Sequence, residues 1–313
     1  MQNAIESIAL IVCTRNRPTY MLGLLQNLDS LTVIPGKILI VDSSEDDSTL
    51  QIIGSPEVSV KERITYIKSL PGLPHQRNEG VKRILFSKEF DQVSLISFTD
   101  DDCRLSEDYF EHLSALAESD INFAAITGVL ISGERAKANF WRRIFLLDSK
   151  LSGAVLKSGY TTPVQCIDGM CDVEWIPGGS MNIKRVALES IQFDSNLRMY
   201  GEDLKMSLML RKLSPLLAHS KMEYKHLEAT LGKDNLVDVI SFTDGIRWQL
   251  ARDFPDQIQR KYVLWSIFGS FIANLIGYFK SSENSKDGKA ILRGHLVFFL
   301  RLVGKRQYIQ TIH

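Results

Sequence analysis

Two apolar runs in this chain break off abruptly in carboxylate: Ile38-Leu-Ile-Val-Asp42 and Val93-Ser-Leu-Ile-Ser-Phe-Thr-Asp-Asp-Asp102. A strand buried on both faces is apolar throughout, so the first polar residue beyond it stands at the rim of the sheet. In an open α/β sheet, ligands bind at the carboxyl-end rim. Three consecutive carboxylates at such a rim repel one another, and a cation offsets that cost. The simplest one is a divalent metal holding phosphate oxygens.

The first hundred residues alternate strand and helix signals. Ile8–Cys13, Ile38–Val41, Ile64–Ile67 and Val93–Phe98 read as strands. Between them, Pro18 stands where a first helical turn tolerates proline, and Leu22, Leu25 and Leu28 recur at helical spacing. A second helical stretch carries Val81, Ile84 and Leu85. This alternation predicts right-handed crossovers and a mainly parallel sheet. After the aspartates, Ser106 is the expected cap of a helix buried through Tyr109, Phe110, Leu113 and Leu116. Phe123–Ile131, Val173–Ile176 and Met222–His226 read as further strands, with helix expected over Lys184–Ser190 and Asp203–Leu213. The stretch 132–172 has no clear period and reads as loop-rich, substrate-facing structure, with a helix between Lys137 and Leu147 as an option.

Composition removes several function classes. The 313 residues carry 37 basic and 37 acidic side chains, so nothing favours nucleic acid. Cys13, Cys103, Cys166 and Cys171 are too sparse for a disulfide framework and lack zinc-ligand spacing. Reduced thiols and a cytoplasmic setting fit best, and no signal peptide is visible.

The tail differs in character. Tyr262–Phe279 contains no charged residue, yet Ser266, Ser270 and Asn274 at spacing four form a polar seam that argues against a bilayer span. Lys280, Lys286, Lys289, Arg293, Arg301, Lys305 and Arg306 follow against only Glu283 and Asp287, the basic residues alternating with leucine and phenylalanine. Such a region, 262–306, is suited either to peripheral contact with an anionic membrane or to packing as a helical pair on protein.

Read in order, the motifs say more than any one alone. They are Cys13-Thr-Arg-Asn-Arg-Pro18, Val41-Asp-Ser-Ser44, Leu73-Pro-His-Gln-Arg-Asn-Glu-Gly80, Phe98-Thr-Asp-Asp-Asp-Cys103, Ile176-Pro-Gly-Gly-Ser-Met181, Tyr200-Gly-Glu-Asp-Leu204 and Lys225-His226. This succession resembles the family 2 glycosyltransferases over roughly residues 7–228. The resemblance implies an inverting, nucleotide-sugar-dependent enzyme of the GT-A fold: a Rossmann-like α/β sheet flanked by helices. It implies a GT-A domain over 1–228, with 1–105 holding the nucleotide and 106–228 the acceptor, and a helical extension over 229–313.

The resemblance also implies site roles. Thr14, Arg15, Arg17, Asp42, Arg77 and Asp100 would meet the nucleotide, with Asp42 accepting a base imide N–H. Asp102 and His226 would ligate Mg²⁺ or Mn²⁺, and Asp100 would touch the ribose or a metal-bound water. Asp203 would be the general base, kept ionised by its place at a helix N-terminus, with Glu202 and Gly179 at the acceptor. Each has a plainer reading: a turn residue for Asp42, a surface arginine for Arg77, a helix cap for Asp203, an ordinary turn for Gly178 and Gly179, and a structural histidine for His226. Asp244-Gly-Ile-Arg247-Trp248 echoes the Gln-X-X-Arg-Trp motif of processive members, but the glutamine is absent. Transfer of a single sugar to a glycan or lipid-linked hydroxyl acceptor, at the inner face of the membrane, is the expectation. Two alternatives are a sugar nucleotidyltransferase, disfavoured by the lack of a glycine-rich loop after the first strand, and a silent nucleotide-sugar-binding subunit.

Overall fold

The computed structural model describes residues 3–131, 140–197, 200–227, 236–280 and 285–303. In chain order the elements are β1 (Asn3–Thr14), α1 (Pro18–Asp29), β2 (Val33–Asp42), α2 (Ser48–Ile53), β3 (Ile64–Lys68), α3 (Leu73–Phe86), β4 (Leu95–Asp100), β5 (Cys103–Leu105) and α4 (Tyr109–Ala117). There follow β6 (Ala125–Leu130), α5 (Phe140–Ile144), β7 (Met170–Val173), β8 (Met181–Lys184), α6 (Arg185–Leu188), α7 (Glu202–Leu210) and β9 (Leu216–His226). Three long helices close the chain: α8 (Leu236–Asp253), α9 (Arg260–Lys280) and α10 (Ser285–Val303). The chain divides into two compact units, one of residues 1–135 with 164–229, the other of 136–163 with 230–313. Much of the stretch read as loop-rich thus groups with the terminal helices, and α5 lies in it; Lys137 to Asn139 are outside the described residues.

The first unit is built on one sheet of order β3-β2-β1-β4-β8-β6-β9-β5, with β7 paired to β9. The pairs β3–β2, β2–β1 and β1–β4 are parallel, as the alternation predicts. Beyond β4 the sheet is mixed: β8 runs antiparallel to both β4 and β6, while β9 runs parallel to β6. The β1 strand shows why its sequence is apolar throughout. Ile8, Leu10 and Val12 join Met21, Leu24 and Leu28 on one side of the sheet, and Ala9 and Ile11 join Val81 and Ile84 on the other. Both faces are covered, so only the strand ends are open to chemistry.

Three local readings change. The expected strand at Val173–Ile176 ends at Val173, and Glu174–Ile176 lead out of the sheet into Pro177 and the turn at Gly178–Ser180. Lys184–Ser190 holds the end of β8 and one short helical turn rather than a full helix. Ser106 does not cap α4: its carbonyl accepts the Tyr109 N–H in a preceding turn, and Asp108 occupies the cap position.

In the second unit, α8, α9 and α10 surround a buried polar group. Asp244 accepts hydrogen bonds from Arg247 and lies 2.6 Å from Nδ1 of His295. Arg247 also donates to the Ser158 carbonyl and the Ser266 hydroxyl, and stacks 4.2 Å from the Tyr160 ring. The partial echo of a processive motif is therefore a structural ion pair of this unit. Trp248 packs edge-on to Phe298 and under Arg260. None of the described helices is long and apolar enough to cross a membrane.

Candidate active site and metal centre

Register brings the strand ends level. Thr14 pairs with Asp42 across β1–β2, Cys13 with Asp100 across β1–β4, and Asp42 with Lys68 across β2–β3. The first carboxylate of the triplet, the β1 loop and Asp42 therefore share one rim. Gln76, at the start of α3, staples that rim by donating to the carbonyls of Thr14 (3.0 Å) and Val41 (2.8 Å).

The three aspartates then separate by direction. Asp101 turns inward, accepting from the Thr14 hydroxyl at 2.6 Å and from Arg17 at 3.3 Å. Burial lifts its carboxyl to about 6, although Thr14 and Arg17 pull the other way. Asp101 is thus the anchor of the β1–α1 loop. Arg17 reaches Asp102 as well, at 3.5 Å. Asp100 and Asp102 turn together with Cys103 and His226, and one ligand atom from each lies within 4.8 Å of all the others. His226 reaches this cluster because β9 pairs with β5, setting Cys103 opposite His226. Its Nε2 stands 3.1 Å from Asp102 Oδ1, and its side chain is 40% exposed.

The donor set fits a hard divalent ion. Carboxylate oxygens and an imidazole suit Mg²⁺ or Mn²⁺. A thiol binds metal as thiolate, and burial with two nearby aspartates holds the Cys103 thiol far above its usual range. Cys103 instead packs on Gly179, where a Cβ would stand 2.9 Å from its sulfur. Asp100, Asp102 and His226 are the residues that could hold the metal.

Arg77 ties this centre to the second acidic motif. It is 2% exposed, with one nitrogen 3.3 Å from Asp100 and another 3.2 Å from Glu202. Phe193 lies 5.3 Å below its guanidinium, and a Cβ on Gly178 would stand 2.6 Å from it. The Gly178–Gly179 turn is therefore glycine because Arg77 and Cys103 fill the space beside it. The Gly179 carbonyl accepts from Thr99. The same turn serves Asp203, which receives backbone N–H bonds from Gly178 and Leu204.

Glu202 and Asp203 open α7, yet the helix N-terminus does not hold them low. Burial, then the charge of Asp203, pushes Glu202 up to about 8 against the pull of Arg77. Burial raises Asp203 too, with Arg77 and the two N–H bonds opposing. Two adjacent carboxyls in a shielded site do not both ionise cheaply. Glu202 is the buried one; Asp203 retains partial exposure. Around Asp100, Asp101, Asp102, Glu202 and Asp203 the described cations are Arg17, Arg77 and Arg104, so the site carries surplus negative charge that a metal would answer.

The other expected site residues sit differently. Asp42 is wholly buried, accepting from the Ser44 N–H at 2.7 Å and the Tyr66 hydroxyl at 2.9 Å, and it orders the rim from beneath. Arg15 is on the surface, paired with Glu45 at 3.4 Å. Sequence reading missed the polar chain under the site. There Ser97 bonds Asn182, Asn182 bonds Tyr109, and Tyr109 bonds Ser180, whose oxygen also takes the Gly128 N–H. Serine and asparagine inside strands were the only signal, and nothing in their spacing joined them.

No protein-family model and no curated protein matches the chain. Solved structures do. GalNAc-T7 with UDP, GalNAc and Mn²⁺ aligns with TM-score 0.58 at 13% identity, over 97% of this chain and 58% of that one. The mannosyltransferase PcManGT from Pyrobaculum calidifontis, in complex with GDP-Man and Mn²⁺, aligns with TM-score 0.56 at 12% identity, over 96% and 88%. TarS of S. aureus aligns with TM-score 0.49 at 16% identity, over 89% of this chain and 44% of that one. The chain thus spans about half the length of TarS and GalNAc-T7. At such identities the likeness speaks for architecture: this chain has the GT-A fold of the nucleotide-sugar glycosyltransferases.

Proposed function

We propose that the chain is an inverting glycosyltransferase that moves one hexosyl or deoxyhexosyl unit from a nucleotide-diphosphate sugar to a hydroxyl acceptor, using Mg²⁺ or Mn²⁺. One observation carries the reading. The Gly178–Gly179 turn and Arg77 join the metal-type cluster of Asp100, Asp102 and His226 to the acidic pair Glu202–Asp203 in a single centre. A bound divalent ion supplies Lewis-acid stabilisation of negative charge on the departing diphosphate. Asp100, Asp102 and His226 are the residues that hold it, while Thr14 and Arg17 fix the loop beside the nucleotide.

Asp203 is the less buried carboxyl of the pair and takes the part of general base. The acceptor oxygen forms its bond to the anomeric carbon as the carbon–oxygen bond to the diphosphate breaks. The nucleotide leaves with that electron pair, and Asp203 carries away the hydroxyl proton. Its raised pKa makes it a stronger base, and it also sets the acid limb of activity above the ordinary carboxylate range. Arg77 and Glu202 are positioning residues. A lipid-linked or surface-polysaccharide precursor is the proposed acceptor, and transfer of one sugar is proposed over processive synthesis because Arg247 is locked in its own ion pair.

The test is a screen of UDP-, GDP- and dTDP-sugars with Mn²⁺, read first by thermal stabilisation and then by transfer to hydroxyl acceptors. Asp203→Asn should keep the nucleotide-induced rise in melting temperature and lose transfer by at least roughly 100-fold. Turnover retained in that variant removes Asp203 from the role.

A further inference from the structure

Helix α9 is turned with its polar side inward. Ser266 is fully buried and accepts from Arg247, and Ser270 meets His295 Nε2 at 2.9 Å. The side left outside carries Trp265, Phe268, Phe271, Leu275 and Ile276, all exposed. A helix at home in water shows the opposite arrangement. On α10, Leu296, Phe299, Leu300 and Val303 are likewise exposed, while His295 and Phe298 are buried.

α5 extends the surface. Phe145, just beyond it, lies 4.8 Å from the Trp265 ring and stacks on Trp141 at 6.1 Å, and the Trp265 indole donates to the Ile144 carbonyl at 2.9 Å. Phe140 and Trp141, each about two-thirds exposed, stand at the edge of this aromatic cluster. A contiguous apolar face of this kind has a covering partner.

We infer that this face of the helical unit docks on an anionic lipid surface. Charge decides between lipid and protein. The charged residues of α5 are Arg142 and Arg143, and the charged side chains described on α9 are Arg260 and Lys261. The exposed charges described on the first half of α10 are Lys289 and Arg293. A basic rim around tryptophan, phenylalanine and leucine matches a headgroup region with acyl chains beneath it. A second copy meeting this patch about a two-fold axis would set the basic rim against itself. With no described helix fit to cross a bilayer, the face lies in the interface. The inference rests on the acceptor half of the proposed function, not on its chemistry.

The experiment uses the full chain with vesicles of phosphatidylcholine, with and without phosphatidylglycerol, in flotation and in tryptophan quenching by brominated lipid. The expected result is binding to the phosphatidylglycerol vesicles with quenching. The double variant Phe268→Ser, Leu300→Ser should weaken partitioning roughly tenfold or more with unchanged melting. Lys289→Glu with Arg293→Glu should remove the preference for phosphatidylglycerol. No binding to those vesicles, or binding untouched by the serine variant, overturns the inference. So does a light-scattering dimer that the serine variant dissociates without any vesicle binding. Transfer to a soluble acceptor, measured on the same variant, should be unchanged, so loss of docking and failure of the sugar-transfer reading are told apart.

Discussion

Each unit of the molecule buries one arginine between ionisable partners, and the two arrangements differ in balance. Arg247 meets Asp244, which also faces His295, and the remaining contacts go to Ser158, Ser266 and Tyr160. That group is closed on itself. Arg77 meets Asp100 and Glu202, with Asp203 beside them and Asp102 near Asp100. There the acids outnumber the cations, one carboxyl is lifted to about 8, and His226 and Asp100 remain open to solvent. A balanced buried ion pair holds a fold together. An unbalanced one stores a demand for a cation and a proton acceptor, which is what chemistry requires.

The comparison breaks first if the closed group is not structural. Asp244→Ala leaves a buried guanidinium and an imidazole without their acid, and should cost about 3–5 kcal/mol of stability. Denaturant unfolding measures it, and transfer per folded molecule should be unchanged. A stable Asp244→Ala protein that has lost transfer would give this group a part in catalysis and erase the contrast.

The open group sharpens the contrast through pH. The Glu202 carboxyl is raised from 4.5 to about 8, so the folded state holds its proton more tightly than the unfolded chain. Its contribution to stability is full below about 4.5 and is lost as pH rises towards 8. Glu202→Gln removes that titration while keeping the shape. Relative to the parent, the variant should gain stability between these limits, on the order of a few kcal/mol at the upper end. Melting curves across the range decide it; a difference that does not change with pH would mean Glu202 is ionised throughout.

Legibility in the sequence followed the same division between local and distant causes. The parallel half of the sheet was readable because β1, β2 and β4 are apolar on both faces and end in Thr14, Asp42 and Asp100. In the second half the strands at Phe123–Ile131 and Met222–His226 were read and fall in β6 and β9, but β8 and β5 were not, since they are three or four residues long and their pattern is set by neighbours far along the chain. Motif order placed Asp100, Asp102, His226, Glu202 and Asp203 in one unit, and the structure gathers Asp100, Asp102 and His226 into the cluster that Arg77 ties to Glu202. What spacing could not supply was direction. Asp101 turns inward to Thr14, Asp42 disappears beneath the rim, and Arg77 lies along Gly178 between two carboxylates. The rise of Asp203 against its helix N-terminus belongs here too: burial is a property of the whole fold, and it outweighs a local dipole.

Arg15 supplies the smallest effect and the cleanest control. It belongs to the same loop as Thr14 and Arg17, but its guanidinium lies outside, 3.4 Å from an exposed Glu45. A surface pair of this sort contributes at most about 1 kcal/mol. Arg15→Ala should therefore leave melting within a degree or two of the parent, on the order expected for so small a change. Its effect should appear instead as a several-fold rise in the donor KM with kcat kept, the mark of a contact made equally in ground and transition states. Arg17→Ala, which removes the ion pairs to Asp101 and Asp102, should lower kcat as well. If Arg15→Ala changes neither parameter, Arg15 leaves the nucleotide site, and the described arginines of the loop reduce to Arg17.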